Sequence, residues 1–110
     1  MTLISEIVKT SIQVQNQRSI DDVLIHAMTE LGELAEEVQI AQGNSYKQSG
    51  PDGVIGEALD VIACMVDVIY LYGGVLADEE HMLSAIRPKL EKWIEKDKLI
   101  QDTKLESQRG

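Results

Sequence analysis

The sequence has few of the residues that stabilise small secreted proteins or bind nucleic acids. Its one cysteine, Cys64, excludes an internal disulfide and suits a reducing, cytoplasmic compartment. Phenylalanine is absent and aromatic residues make up 4% of the chain, so aliphatic side chains and methionine must form the core. Ten Lys and Arg oppose nineteen Asp and Glu, and the net charge of −9 argues against a nucleic-acid or membrane partner.

Residues that break helices are also few. Proline and glycine cluster between Gly43 and Gly56, at Gly73 and Gly74, and at Pro88. Between these breaks, apolar residues recur at helical spacing. The pattern predicts an all-α fold with helices over about 2–16, 20–42, 54–72 and 79–98. We expect one helical domain over residues 1–98 and a frayed polar tail over residues 99–110.

The stretch from Val54 to Tyr72 is apolar almost throughout, yet it contains Glu57, Asp60 and Asp67. On a helix these acids share one arc of roughly 80° with Cys64. A helix that is apolar nearly all round is expected to be buried, and a carboxylate in a core needs a cation or a hydrogen-bonding partner. No Lys or Arg occurs between Lys47 and Arg87 to supply that charge locally. The alternative is that each acid faces solvent. For Asp67 the two interpretations, a buried acid with a partner and a solvated acid, are nearly equal.

A second acidic stripe lies on the preceding helix. Ser19 is the expected N-cap, with Asp22 as its capping-box partner. Beyond this N-cap, one face of the helix has four polar residues, His26, Glu30, Glu33 and Glu37. Glu36 lies farther round the helix, nearer its exposed side. No Lys or Arg occurs between Ser19 and Gln42, and like charges three or four residues apart destabilise a helix. The stripe is therefore either a solvated face or a cation-binding one.

Each of the two helices thus has a pair of acids three residues apart, Glu30-x-x-Glu33 and Glu57-x-x-Asp60. Residues at this spacing share a helix face, so antiparallel packing would bring four carboxylates together. Ligands that are all oxygen indicate Mg²⁺, or Mn²⁺ in its place, rather than zinc. Because Mg²⁺ in proteins commonly binds phosphates as well, the implied substrate is a polyphosphate.

The two motifs, with the 23 residues from Leu34 to Gly56 between them, resemble the MazG-type all-α nucleoside triphosphate pyrophosphohydrolases. The mark of that family is ExxE, a spacer and ExxD, and the resemblance covers about residues 19–98. It implies a MazG-like bundle of four to five helices, assembled as a homodimer or as a homotetramer made of two dimers. It also implies Mg²⁺-dependent hydrolysis of nucleoside triphosphates to monophosphate and pyrophosphate, and the short single domain is most similar to the deoxynucleotide house-cleaning members.

The resemblance assigns the metal-ligand role by direct motif match to Glu30, Glu33, Glu57 and Asp60. Glu33 and Glu37 are the candidate catalytic residues. Glu37 could be the base for the attacking water or a group that supports the metal ligands from outside, and it is equally consistent with an outer acid. Members of the family often place a Lys, an Asn and an Arg of the last helix against the phosphates; here that helix offers cations but no Asn. The candidate phosphate-binding residues are Lys47, Arg87, Lys89 and Lys92.

Other residues favour structural roles. His26 lies on the acidic stripe, but a hydrogen-bonded histidine in a core or interface explains it better than a ligand does. Asp78 with His81 has the acid-x-x-His spacing of di-iron bundles, yet neither acidic helix supplies a second such pair. Trp93 is better explained as a core or interface residue than as a base-stacking platform. The rival hypothesis for the whole chain is a non-catalytic helical interaction module whose acids are merely solvated or bind a partner's cations.

Overall fold

A computed structural model describes residues 1–14 and 16–109, without the side chains of Val75 and Leu76. The described residues form four α-helices and a short 3₁₀ segment and contain no strand, which confirms the predicted all-α class. The helices are α1 (Leu3–Gln13), α2 (Ile20–Ala41), α3 (Gly53–Gly73) and α4 (Glu79–Arg109), and Gly74–Ala77 forms the 3₁₀ segment. Position 15, in the predicted first helix, and Gly110, in the predicted tail, lie outside the described residues.

Local chemistry sets the ends of these helices. Ser19 caps α2 through a reciprocal capping box with Asp22, as the sequence predicts. Gly43 follows the end of α2 with a φ of 77°, a conformation that glycine adopts without strain. Gly74, with a φ of 55°, ends α3. The carboxylate of Asp78 accepts a hydrogen bond from the backbone N–H of His81, and it therefore caps α4.

The chain divides into two units, residues 1–77 and 78–109, and the proposed single domain over residues 1–98 stays a prediction. In the first unit α3 packs against α2 and α1. The helices α2 and α3 are antiparallel, because Glu30 of α2 lies beside Asp60 of α3 and Glu33 lies beside Glu57. Among the side chains that the structure describes, the buried apolar residues are few and mostly small: Val23, Ala27, Val66 and Ala77.

The helix α3 is less covered within the chain than its apolar composition predicts. Val66 is its buried residue, whereas a row of large apolar side chains is exposed along it: Ile55, Leu59, Ile62, Met65, Ile69 and Tyr72. Packing against α1 and α2 accounts for part of its surface and leaves this row open to solvent. No helix in the described part of the chain is long and apolar enough to cross a membrane.

The second unit differs from the expected frayed tail. The helix α4 continues to Arg109 and includes Pro88, which lacks the N–H that would bond within the helix. Residues 99–109 contain no glycine or proline and many strong helix formers, and the hydroxyl of Thr103 donates a hydrogen bond of 2.8 Å to the Leu99 carbonyl. These local preferences favour a continuous helix.

A candidate metal centre

An acidic cluster, formed by Asp52, Glu57 and Asp60 with Glu30 and Glu33, lies between the facing sides of α2 and α3. One carboxylate oxygen each from Glu30, Glu33 and Glu57 can be chosen so that all lie within 4.8 Å of one another. The same holds for Asp52, Glu57 and Asp60. Glu57 belongs to both groups, and so it lies at the centre of the cluster. The antiparallel pairing thus brings together all four acids that the sequence singled out as metal ligands.

The charges in this cluster oppose one another. Desolvation, followed by the negative charges of Glu33, Asp60 and Glu30, raises the pKa of Glu57 to about 7. Desolvation and the neighbouring acids also raise the pKa of Glu30, against a smaller opposing effect of His26. The Oε2 atom of Glu57 is buried and has no hydrogen-bond partner among the described residues. A buried carboxylate oxygen without a partner costs free energy, and a bound cation would compensate it.

Asp52 is the member of the cluster that sequence reasoning missed. It occupies the N-cap position of α3, yet its side chain makes no capping hydrogen bond. A methyl group at Gly56 would place its carbon 2.6 Å from the Cβ of Asp52, so the glycine leaves room for this side chain. The available signal was the spacing of Asp52, Gly56 and Asp60, which places all three on one helical face. A glycine in the middle of that face indicates a close neighbour.

The acids at the end of α2 face the loop that joins α2 to α3 instead. Glu37 is buried, and its two carboxylate oxygens accept hydrogen bonds from the Ser49 hydroxyl at 2.8 Å and the Gly50 N–H at 2.7 Å. Glu36 pairs with Lys47, with Oε1 and Nζ 2.6 Å apart. The candidate base Glu37 and the candidate phosphate ligand Lys47 are therefore both bound to other groups of this hairpin, and their predicted roles stay predictions.

Asp67 has a cation that the sequence did not reveal. Arg18, just before α2, donates from Nε and Nη2 to the two oxygens of Asp67 at 2.7 and 2.6 Å. Its guanidinium also donates to the carbonyls of Ser11, Val14 and Asn16, which ties the α1–α2 connection to α3. The hydrogen bond from Arg18 is the main cause of the lowered pKa of Asp67. Asp67 is thus a structural acid, paired outside the cluster.

A cavity of about 520 Å³ adjoins the cluster in the first unit. Apolar atoms line most of it, among them those of Ile7, Val14 and Val23, and Arg18 with Asp67 forms one side. The exposed ring of His26 also lines it, and its Nε2 lies 3.2 Å from Oε1 of Glu30. His26 therefore lies between the cavity and the acidic cluster. Its exposure contradicts a place in the core, and its predicted place in an interface stays a prediction.

The remaining candidates lie on α4, in the second unit. Arg87, Lys89 and Lys92 are exposed on that helix, and so is Trp93. The ring of His81 lies 2.8 Å from Asp78, within the first turn, as part of the helix cap. The acid-x-x-His spacing therefore serves the helix N-terminus.

Neither a family model nor a curated protein nor a solved structure matches the chain. The resemblance to MazG-type enzymes accordingly stays a prediction from the two motifs.

Proposed function

We propose that this protein is a Mg²⁺-dependent nucleotide pyrophosphohydrolase of the MazG type, which cleaves (deoxy)nucleoside triphosphates to monophosphate and pyrophosphate. House-cleaning of the nucleotide pool would be its task. The observation that carries the proposal is the acidic cluster, in which four motif acids from two antiparallel helices lie together and the buried Oε2 of Glu57 has no hydrogen-bond partner among the described residues.

The charge balance supports a bound cation at this cluster. Two cations of the first unit form ion pairs with acids outside the cluster, Arg18 with Asp67 and Lys47 with Glu36. Glu57 resists ionisation there, and a hard cation would relieve both the repulsion and the missing hydrogen bond. Since every donor is a carboxylate oxygen, the set suits Mg²⁺ or Mn²⁺.

Glu30, Glu33, Glu57 and Asp60 would hold the metal. When bound, Mg²⁺ would neutralise phosphate charge and lower the pKa of a coordinated water. Glu33 is exposed, so solvent water can reach it, and it would act as the proton acceptor for the attacking water. Lys47 is the proposed phosphate contact in the first unit, since an acidic site needs cations to hold a polyphosphate. The phosphate-binding roles of Arg87, Lys89 and Lys92 stay predictions from the sequence.

The adjoining cavity supports a nucleotide as the substrate. Its volume lies in the range of small-molecule pockets, and its apolar lining suits the faces of a planar base. A base in the cavity would leave the phosphates at the acidic cluster, because His26 and Cys64 border both. Burial and nearby negative charge raise the pKa of the Cys64 thiol, so we assign it no nucleophilic role.

The rival hypothesis, a non-catalytic acidic interaction module, has one observation in its favour. Asp52, Asp60 and Glu33 are exposed, as a surface that binds a partner's cations would be. This hypothesis does not account for the buried oxygen of Glu57 in the same cluster, which has no hydrogen-bond partner in the described part of the chain.

A nucleotide screen tests the proposal. Purified protein with Mg²⁺ should release pyrophosphate from at least one nucleoside triphosphate, and EDTA should abolish the release. Phosphorus NMR identifies the products, and orthophosphate would show that a different bond is cleaved. As a matched pair, Asp60→Asn should lose activity by orders of magnitude, whereas Asp21→Asn, an exposed acid in the first turn of α2, should retain it. Inertness toward all common nucleotides with Mg²⁺ or Mn²⁺ would refute the enzymatic function.

A further inference from the structure

We propose that Glu37 is a positioning residue, which holds the loop before α3 so that Asp52 joins the acidic cluster. The proposal rests on the function proposed above for its consequence in metal binding. The contacts that support it lie within the first unit, between α2, the loop and α3.

Glu37 binds the loop from both of its oxygens. Glu37 as a residue is 8% exposed, and its carboxylate accepts hydrogen bonds from the hydroxyl of Ser49 and the backbone N–H of Gly50. Hydrogen bonds to a charged acceptor are stronger than neutral ones, and burial shields them from water. Two such bonds on adjacent residues fix both the position and the direction of the chain at this point.

Gly50 is suited to this contact by its lack of a side chain. A Cβ at that position would lie 2.8 Å from Oε1 of Glu37, closer than van der Waals contact allows. An alanine would therefore displace the flexible end of Glu37 and break its bond to the Gly50 N–H. Gly50 does not have a positive φ, unlike Gly43, Gly53 and Gly74. The glycine is therefore needed for the space it leaves and not for its backbone conformation.

Asp52 follows Gly50 by two residues, at the end of the loop. The side chain of Asp52 makes no capping bond, lies over Gly56 and has an oxygen within 4.8 Å of oxygens of Glu57 and Asp60. Pro51, whose φ is fixed by its ring, is the single residue between the held glycine and Asp52. Little freedom is left between the Glu37 contacts and the cluster, and so Glu37 acts on the cluster through Asp52.

Mn²⁺ titration of the full chain, followed by calorimetry, tests the proposal. Glu37→Ala and Gly50→Ala should each weaken Mn²⁺ binding about tenfold, as loss of an outer-shell group commonly does. Asp52→Asn should weaken it similarly, and the double variant of Glu37→Ala with Asp52→Asn should bind no more weakly than Asp52→Asn alone. Gly32→Ala is the matched control, since a Cβ there meets nothing within 4 Å, and it should bind as the parent does.

Glu37→Gln separates positioning from catalysis. A glutamine accepts from the Gly50 N–H through its oxygen and donates to the Ser49 hydroxyl through its amide, so it should recover the affinity that Glu37→Ala loses. Turnover should follow affinity across the series. Turnover lost in Glu37→Gln with affinity intact would identify Glu37 as a general base and overturn the proposal.

Hydrogen exchange at the Gly50 amide provides a readout that needs no metal. The amide should be protected in the parent and in Glu37→Gln, and should exchange rapidly in Glu37→Ala. Equal exchange in all three would refute the contact itself. If the parent binds no Mn²⁺ but protects the Gly50 amide, the proposed function is refuted while the loop contact stands. If the losses of affinity add in the double variant, Glu37 does not act through Asp52, and the positioning role is refuted.

Discussion

At the residue scale, two carboxylates of the same helix have opposite environments. Asp67 receives two hydrogen bonds from Arg18, and its pKa is lowered. Glu57 has a buried oxygen without a described partner, and its pKa is raised to about 7. The sequence placed both in one acidic arc and could not distinguish them, because Arg18 precedes Asp67 by 49 positions. A tertiary ion pair of this kind leaves no trace in helical spacing.

We expect the Arg18–Asp67 pair to stabilise the fold with a defined pH dependence. Asp67→Asn should lower the free energy of unfolding at pH 7 by about 2 kcal/mol, through the loss of charge-assisted hydrogen bonds. The folded pKa of Asp67 lies below its unfolded value of about 3.9, so its contribution is present above about pH 4 and is lost as the pH falls through the folded value. Urea unfolding of both proteins from pH 7 to pH 2.5 measures the difference, which should narrow only below about pH 4. A difference that is absent at pH 7, or constant with pH, would contradict this role.

At the scale of elements, the acids of α2 divide between two tasks. Glu30 and Glu33 face α3, whereas Glu36 and Glu37 bind the loop through Lys47 and through Ser49 with Gly50. Periodicity and capping chemistry predicted the helices and most of their ends, because these depend on local residues. They did not predict the loop contacts, because a turn-rich segment specifies where a helix stops and not what the loop touches.

The exposed row of α3 predicts that copies of the chain associate. A dimer or tetramer would remove Ile55, Ile62 and Ile69 from water, and apolar rows of this length are expected at an interface. Light scattering at tens of micromolar should give the mass of an oligomer for the parent, and Ile62→Asp should shift it toward the monomer. Tyr46→Asp, at an exposed loop position, should leave the mass unchanged. A monomeric parent would contradict this prediction.

At the scale of the whole molecule, composition and pattern predicted the all-α class and the meeting of the four motif acids. They could not predict how little of the chain is buried, since the same apolar pattern serves a core or an interface. Residues 99–109, which we expected to form a frayed tail, are helical, because polar residues of high helix propensity continue α4 to Arg109. The excess of negative charge predicted that the acids on α2 and α3 need partners. In the structure Glu36 and Asp67 form ion pairs, whereas the acids of the acidic cluster face one another.

Thermal melting of the parent and Asp60→Asn, each in EDTA and in Mg²⁺, tests most directly that the acidic cluster is a metal site. Without metal the acids repel one another, so removing one charge should leave the variant as stable as the parent or more stable. Mg²⁺ should raise the melting temperature of the parent by several degrees, because binding to the folded state adds about 2.7 kcal/mol at a hundredfold excess over Kd, and should raise that of the variant much less. Asp21→Asn, the surface control, should respond to Mg²⁺ as the parent does. A variant that melts well below the parent in EDTA, with a parent indifferent to Mg²⁺, would show that these acids are structural and contradict the account.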